Sequence, residues 1–287
     1  MIVVTGATGQ LGSQIVRRLL ERVPASEIGV SVRDPSLAAD LAALGVRVRA
    51  GDFTNPADLE HAFEGADQAL VISAAIRGGG ALAANNAAID AARSAGVRRV
   101  LYTSHQGASA NALFPPHTVH AATEQHLAAA RVPFTALRNG FYASTLRVNI
   151  GDALTTGVIW APADGPVSWT AHADLAEAAA IALTQKGSIE GISAPLTASE
   201  MLDLEQVAAI LSDLTGRTIT RRVVDDEEWK NAKIAAGLPP MVADFSLGMY
   251  RAARAGEYAV TDPTLERMLG RPTTSARVAL EQIVRAG

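Results

Sequence analysis

Three glycines spaced three residues apart lie near the start of the chain, at Gly6, Gly9 and Gly12. The β-branched run before them predicts a strand at Ile2–Thr5, and the apolar spacing after them predicts a helix at Leu11–Arg22. Glycines in such a turn let the chain reverse sharply, let the backbone approach a pyrophosphate and let the helix pack closely on the sheet, while the first helical amides point at the phosphates. The motif predicts a dinucleotide-binding loop, with an ordinary glycine-rich turn as the alternative. The residues expected to line it are Gly6, Thr8, Gly9, Gln10, Leu11 and Gly12.

The end of the second predicted strand indicates which dinucleotide is bound. An acidic residue there suits the ribose 2′-hydroxyl of NAD, whereas an arginine suits the 2′-phosphate of NADP. Arg33 stands just past the strand Ile28–Val32, in the stretch SVRDP. A guanidinium binds phosphate through two charged hydrogen bonds. Because Asp34 follows at once, an exposed Arg–Asp turn is the alternative, but the sequence favours NADP(H) as the cofactor.

The elements that position these residues alternate between strands and helices through the first half of the chain. Short apolar runs without clean alternation are typical of parallel strands covered on both faces. Six such runs predict an α/β fold with a Rossmann-type doubly wound parallel sheet, and residues 1–140 as the NAD(P)-binding domain. The runs are Ile2–Thr5, Ile28–Val32, Val46–Ala50, Ala69–Ser73, Val100–Thr103 and Phe134–Arg138.

The regular alternation of predicted strands and helices ends after Phe141. A helix-like stretch at Ser144–Thr155 precedes strand-like pieces at Val158–Trp160 and Val167–Trp169, and helical patterns follow. Residues 141–287 are therefore predicted to form a smaller, mostly helical lobe that binds substrate and is interwoven with the first domain.

Several motifs together resemble one protein family. The segments TGATGQLG, VRDP, GDF (Gly51–Phe53), LYTS (Leu101–Ser104) and LRNGFY (Leu137–Tyr142) are similar to those of the NmrA-like atypical short-chain dehydrogenases. With VHAATE (Val119–Glu124), they are most similar to the bacterial NAD(P)H:quinone oxidoreductases of type 2 and the triphenylmethane reductases in that family. The resemblance covers nearly the whole chain and implies an NAD(P)H-dependent oxidoreductase.

The resemblance also implies which residues contact the cofactor. Ser73, Ala74 and Ala75, at the end of the fourth strand, are expected to run under it. Thr103 and Ser104 are expected to end the fifth strand beside the nicotinamide, with a strand-end cap as the alternative for Ser104. Such positions fit the rule that open α/β sheets bind ligands at the carboxyl ends of their strands.

Catalytic and substrate residues are implied by the same resemblance. His120 and Glu124 are expected on the next helix, facing the same crevice, and Asn139, Phe141 and Tyr142 are expected to border the substrate. We assign catalytic roles to Asn139, Tyr142 and His120. For Phe141 and Tyr142, plain packing against the second lobe is an equally good interpretation.

A departure from the family pattern limits the chemistry. Ordinary short-chain dehydrogenases use a Tyr-x-x-x-Lys pair on the helix after the fifth strand, but that helix here reads HTVHAATEQHLAAA. Hydride transfer to an unactivated ketone builds up a basic alkoxide, which needs a proton or an oxyanion hole. A quinone forms a delocalised anion, and a triarylmethyl cation is neutralised by hydride. The missing pair therefore favours a flat, activated acceptor positioned by shape, or no chemistry at all.

The histidines could suggest a metal instead. His117, His120 and Glu124 share one helix face by their spacing, and His105 precedes the helix. No established ligand spacing matches, so we predict no metal site and interpret His120 as an orienting or cofactor-contacting residue with solvated neighbours.

Composition excludes several other classes. The chain has 287 residues, of which 48% are hydrophobic and 19% charged, as in globular proteins. A net charge of −4 argues against nucleic acid, and no apolar run approaches the roughly 18 residues of a membrane span. The lack of cysteine excludes disulfides and thiolate chemistry and fits the cytoplasm. A strand beginning at Ile2 leads us to expect no signal peptide.

Two functions remain open from the sequence. The favoured one is an NADPH-dependent reductase of a quinone or similar planar acceptor, and the alternative is a non-catalytic NADP-binding redox sensor that regulates a protein partner. The missing Tyr-x-x-x-Lys pair counts against a third, a sugar-nucleotide epimerase. The sequence leaves open whether the chain is a monomer or a homodimer. The sequence departs from its relatives at Ser73–Ala83, where Gly78, Gly79 and Gly80 are expected to form a mobile loop, so substrate preference cannot be carried over.

Overall fold

A seven-stranded parallel sheet forms the centre of the larger part of the molecule, with strand order β3-β2-β1-β4-β5-β6-β8. The computed structural model describes residues 1–76, 80–185 and 187–286. Strands β7 and β9 form a separate parallel pair. The strands in the described residues are β1 (Ile2–Thr5), β2 (Ile28–Val32), β3 (Arg47–Ala50), β4 (Gln68–Val71), β5 (Arg99–His105), β6 (Phe134–Asn139), β7 (Val158–Pro162), β8 (Gly191–Ile192) and β9 (Thr220–Val224).

Helices cover both faces of the large sheet, which is the Rossmann-type doubly wound arrangement predicted from the sequence. Those in the described residues are α1 (Gln10–Leu20), α2 (Ala39–Ala43), α3 (Pro56–Phe63), α4 (Gly80–Ser94), α5 (Pro115–Ala129), α6 (Leu146–Ile150), α7 (Ala153–Thr156), α8 (His172–Thr184), α9 (Leu204–Thr215), α10 (Asp226–Ala235), α11 (Pro240–Arg254), α12 (Thr264–Leu269) and α13 (Ala276–Ala286). None of the helices described is both long and apolar enough to cross a membrane.

Successive side chains of the strands pack alternately into two hydrophobic layers, one on each face of the large sheet. Ile2 and Val4 of β1 pack with α1, α2 and α8 on one face, whereas Val3 packs with α3, α4 and α5 on the other. All four residues of β1 are buried, which is why its sequence shows no alternation of apolar and polar residues. The direction of strand order reverses between β1 and β4, and their carboxyl ends mark the point at which such sheets bind ligands.

The second lobe has its own core, and the chain returns from it to the large sheet. Phe141, Trp169, Leu211 and Leu247 belong to this core, which β7, β9 and the later helices enclose. Helix α8 packs on α1, and β8 extends the large sheet beside β6. The boundary between the domains at residue 140 stays a prediction.

Three local predictions differ from the structure. Val167–Trp169 is not a strand, because Val167 forms only an isolated antiparallel bridge with Leu202. The helical stretch predicted at Ser144–Thr155 is broken at Gly151, whose φ of 53° ends α6 before α7 begins. Strand β5 continues beyond the predicted Thr103 to His105.

The predicted mobile glycine loop cannot be assessed as a whole. Gly78 and Gly79 lie outside the described residues, whereas Gly80 begins helix α4.

Candidate functional site

The glycine loop adopts the geometry that its spacing predicts. Gly6 follows β1 with a φ of 61°, a left-handed conformation that favours glycine. A Cβ at Gly12 would stand 2.2 Å from the Gly6 carbonyl oxygen, so no larger residue fits where α1 crosses the loop. Gly9 is the N-cap of α1, and no side chain caps this end of the helix. The first-turn amides are therefore available to an external acceptor such as phosphate.

The loop residues divide into an exposed and a buried set. Thr8, Gly9 and Gln10 are exposed at the carboxyl edge of the sheet. The Leu11 side chain is 6% exposed and belongs to the hydrophobic core, so only its backbone amide is available at this edge.

The chain leaving β4 is fixed by three side chains from different elements. Successive backbone amides of residues 72–74 donate to Thr5 Oγ1 at 2.9 Å, Thr103 Oγ1 at 2.9 Å and Asn85 Oδ1 at 2.8 Å, respectively. Ala75 follows in an exposed position. The backbone at the start of the predicted cofactor segment Ser73–Ala75 is thus fixed by hydrogen bonds. One of their acceptors, Thr103, is itself buried, with 2% of its surface exposed.

Arg33 is exposed immediately after β2. Asp34 does not pair with it in the described structure, because its carboxylate caps the turn Pro35–Ala38 and accepts hydrogen bonds from Ser36 N at 3.0 Å and Ser36 Oγ at 2.7 Å. These two hydrogen bonds lower the pKa of Asp34. The Arg33 guanidinium is therefore not held by the carboxylate that follows it.

Ser104 and Glu124 are brought together, as their placement at one crevice predicts. Ser104 Oγ donates to Glu124 Oε1 at 2.6 Å. Arg138 of β6 donates to both carboxylate oxygens, at 2.9 and 2.7 Å, and Glu124 is 2% exposed. A carboxylate in a bidentate buried ion pair is not available as a general base.

His120 is joined to a residue that the sequence reasoning missed. Its Nδ1 lies 2.8 Å from the hydroxyl oxygen of Tyr102, which also accepts a hydrogen bond from Asn85 Nδ2 at 3.1 Å. Burial raises the pKa of Tyr102 to about 12. Burial, with a further contribution from His117, lowers the pKa of His120 to about 3. Both groups are therefore neutral near pH 7.

A sequence signal for Asn85 existed. It falls at helical spacing from the apolar residues Ala81 and Ala88, so it is a polar residue on the apolar face of α4. The structure shows that it is completely buried, and a buried amide must be hydrogen-bonded. Tyr102 carried no such signal, because an aromatic residue in a buried strand is ordinary core.

The expectation that the neighbours of His120 are solvated is wrong. His117 is completely buried, stacks on His105 with ring centroids 4.4 Å apart, and has its Nδ1 3.0 Å from Glu257 Oε2. A Cβ at Gly107 would stand 2.5 Å from the His117 ring, so the β5 loop packs directly on it. Within the described ranges, no three His, Cys, Asp or Glu side chains are arranged to hold a metal ion.

Asn139 and Tyr142 are neighbours at the end of β6. Asn139 is 2% exposed, and its Oδ1 is buried without a hydrogen-bond partner among the described residues. The Tyr142 ring lies 4.2 Å from that of His172, and burial raises the pKa of its hydroxyl. Their roles in catalysis stay predictions.

Phe141 lies in the core of the second lobe. It is 7% exposed, and its ring lies 4.6 Å from Tyr258 and 5.5 Å from Trp169. It also lines a cavity of about 20 Å³, large enough for one water molecule. This environment matches the packing interpretation, and a substrate contact by Phe141 stays a prediction.

The chain belongs to the NmrA-like family, whose model matches residues 1–271. Among curated proteins, it is 36% identical to quinone oxidoreductase 2 of Escherichia coli (strain K12), over 96% of each chain. It is 30% identical to the NAD(P)H azoreductase of Xenophilus azovorans, over 95% of this chain and 94% of the relative. Among solved structures, it is similar to the Citrobacter sp. triphenylmethane reductase complexed with NADP(H). That similarity has a TM-score of 0.91 and 34% identity, and covers 99% of this chain and 100% of the other.

Proposed function

We propose that this chain is an NADPH-dependent reductase that transfers hydride to a quinone or a similar planar activated acceptor. The relatives support the class of enzyme and its cofactor, since they are named as a quinone oxidoreductase, an NAD(P)H azoreductase and a reductase complexed with NADP(H). The side chains of the site indicate the acceptor class.

The residues at the carboxyl edge fit the dinucleotide. The uncapped first turn of α1 offers its amides to the pyrophosphate, and the absent side chain at Gly9 leaves room for it. Arg33, exposed beyond β2, suits the 2′-phosphate. The segment Ser73–Ala75, with small side chains, allows the rest of the cofactor to lie close to the backbone.

The observation that carries the proposal is the lack of a free acid or base among the described groups near His120. Glu124 is held by Arg138, while His120 and Tyr102 are neutral near pH 7. Bound NADPH supplies the hydride, and these residues supply orientation and hydrogen bonds rather than a strong acid. Such a site suits an acceptor whose reduced form is a stabilised anion or a neutral molecule.

The test is turnover by the purified protein. With NADPH and a water-soluble benzoquinone, we expect NADPH absorbance to fall well above the uncatalysed rate. A triarylmethane dye and an azo dye should be assayed beside the quinone to define the acceptor class. Tight NADPH binding without turnover of any of the three would contradict the proposal and favour a dinucleotide sensor with a protein partner.

A further inference from the structure

The two ring nitrogens of His120 lie in different environments. Nδ1 is 2.8 Å from the Tyr102 hydroxyl oxygen. Nε2 makes no hydrogen bond to any described residue, and it is not among the enclosed polar atoms, since the side chain is only partly buried. Nε2 therefore reaches open space beside β5.

The hydrogen bonds of Asn85 determine which way the Tyr102 proton points. The backbone N–H of Ala74 can only donate, so it fixes Asn85 Oδ1 as its acceptor at 2.8 Å. Asn85 Nδ2 must then be the group that faces Tyr102, and it donates to the phenol oxygen at 3.1 Å. The phenol oxygen of Tyr102 therefore accepts one hydrogen bond, and its own O–H group still needs an acceptor.

Tyr102 is completely buried, so a hydroxyl proton without an acceptor would be costly. The hydroxyls of Ser73 and Thr123 also lie near the phenol, but among the described groups Nδ1 of His120, 2.8 Å away, is the one placed at hydrogen-bond distance to accept this proton. An Nδ1 that accepts this proton is unprotonated, which places the proton of the neutral imidazole on Nε2. The chain of hydrogen bonds thus runs from the Ala74 backbone through Asn85 and Tyr102 to His120.

We propose that Tyr102, oriented by Asn85, is a positioning residue that holds His120 as the Nε2–H tautomer, so that the ring donates a hydrogen bond to an acceptor atom that gains negative charge. This proposal rests on the reductase function proposed above. Within the acceptor class, it favours molecules with an oxygen or nitrogen at the reduced centre, such as quinones and azo compounds. A triarylmethyl cation gains no such charge, because hydride neutralises its central carbon.

The step balances without a protein acid. Bound NADPH would supply a hydride, whose electron pair would form a new O–H bond to one quinone oxygen, with NADP⁺ as the oxidised product. The other quinone oxygen is left as an anion, which the Nε2–H group stabilises by a hydrogen bond, and water later supplies the one proton that completes the hydroquinone. His120 keeps its own proton throughout.

The kinetic test compares two acceptors in Tyr102→Phe. We expect kcat for a benzoquinone to fall about three- to tenfold, the scale of one neutral hydrogen bond, with unchanged NADPH affinity. Reduction of a triarylmethane dye should stay within about twofold of the wild type on the same argument. Equal slowing of both acceptors would overturn the proposal, because it would indicate a general structural role.

A double-mutant cycle tests whether Tyr102 acts through His120. A glutamine at position 120 can donate a hydrogen bond but has no tautomers. The double variant Tyr102→Phe/His120→Gln should therefore reduce quinone no more slowly than His120→Gln alone. Additive losses would overturn the proposal.

The tautomer itself can be measured without turnover. In the NADP⁺-bound wild type labelled with ¹⁵N-histidine, NMR should show His120 with a bare Nδ1 and a protonated Nε2. A protonated Nδ1 would overturn the proposal, whatever the variants do. The expected tautomer in a protein that reduces none of the acceptors would support the positioning role and contradict only the reductase function.

Discussion

The two sides of the crevice differ in how they are built. On the cofactor side, the polar groups at the edge are the backbone amides of α1, with Arg33 exposed beyond β2. On the acceptor side, side chains are bonded to one another, as in the Tyr102–His120 and Glu124–Arg138 pairs. Under the proposed function, the first side would bind fixed phosphates, and the second would hold a few groups rigid beside a variable substrate.

The largest expected effect is a loss of NADPH affinity caused by a substitution in the glycine loop. Gly9→Val should weaken NADPH binding on the order of 100-fold, because a branched side chain would occupy the space of the pyrophosphate. The backbone of Gly9, with φ of −80° and ψ of 170°, accepts any residue, so the fold should survive. Titration and thermal melting measure the two effects.

Gly9→Ala is the matched control for that substitution. Its Cβ would stand 3.2 Å from the Gly6 carbonyl oxygen, a tight contact that both variants share. The alanine should therefore show the effect of the loop contact alone. Equal NADPH affinity in the valine variant and the wild type would mean that the loop is only a turn.

Arg33→Ala should have the next largest effect, and only on NADPH. Losing a charged hydrogen bond to the 2′-phosphate should weaken NADPH by about 1–3 kcal/mol while NADH binding barely changes. Arg93→Ala is a suitable control, since Arg93 is exposed in the last turn of α4, at the opposite edge of the sheet. Tighter binding of NADH than NADPH by the wild type would show that Arg33 is assigned wrongly.

The difference between a side built from local backbone features and a side built from contacts between distant side chains explains what the sequence could predict. The glycine loop and Arg33 are local features, because strand, turn and helix follow one another within a few residues. The structure has the strands and the helix around them at the predicted places, and the binding roles of these residues stay predictions. The bond between Tyr102 and His120 joins residues 18 apart, and the contact of His117 with Glu257 joins residues 140 apart. Such contacts depend on the packing of whole elements, which is why the burial of His117 was not foreseen.

The second lobe illustrates the same limit at the level of the fold. The return of the chain through α8 to β8 adds a two-residue strand to the large sheet. Two residues carry no periodic signal, so only the parallel pairing with β6 reveals this strand. The six strands with longer apolar runs were all predicted correctly in type and place: β1 and β2 match the predicted bounds, and the ends of the other four shift by at most two residues.

Substitutions on the acceptor side should have smaller effects than those on the cofactor side, if the rate of quinone reduction depends on the positioning of the substrate rather than on proton transfer from a side chain. His120→Ala and Tyr142→Phe should each slow quinone reduction by less than the roughly 10²–10⁴-fold that general acid catalysis contributes. Asn139→Phe should slow it more than either, because the larger side chain adds bulk next to Tyr142. A loss of about four decades in either His120→Ala or Tyr142→Phe, with normal NADPH binding, would identify an essential proton donor.

The smallest expected effect is that of pH on the wild type. Burial holds the pKa of His120 at about 3 and raises that of Tyr102 to about 12, so neither group changes its charge between pH 5 and 9. Among the neighbouring side chains, burial holds the pKa of His105 well below its ordinary value and raises that of Tyr142, whereas for His117 burial lowers the pKa and Glu257 opposes that effect. A histidine that acted as a charged acid would lose activity as pH rises through about 6.5, its ordinary pKa. We therefore expect kcat for quinone reduction at saturating NADPH to be flat over this range, and a fall of tenfold or more between pH 6 and 8 would show that an imidazolium takes part in the reaction.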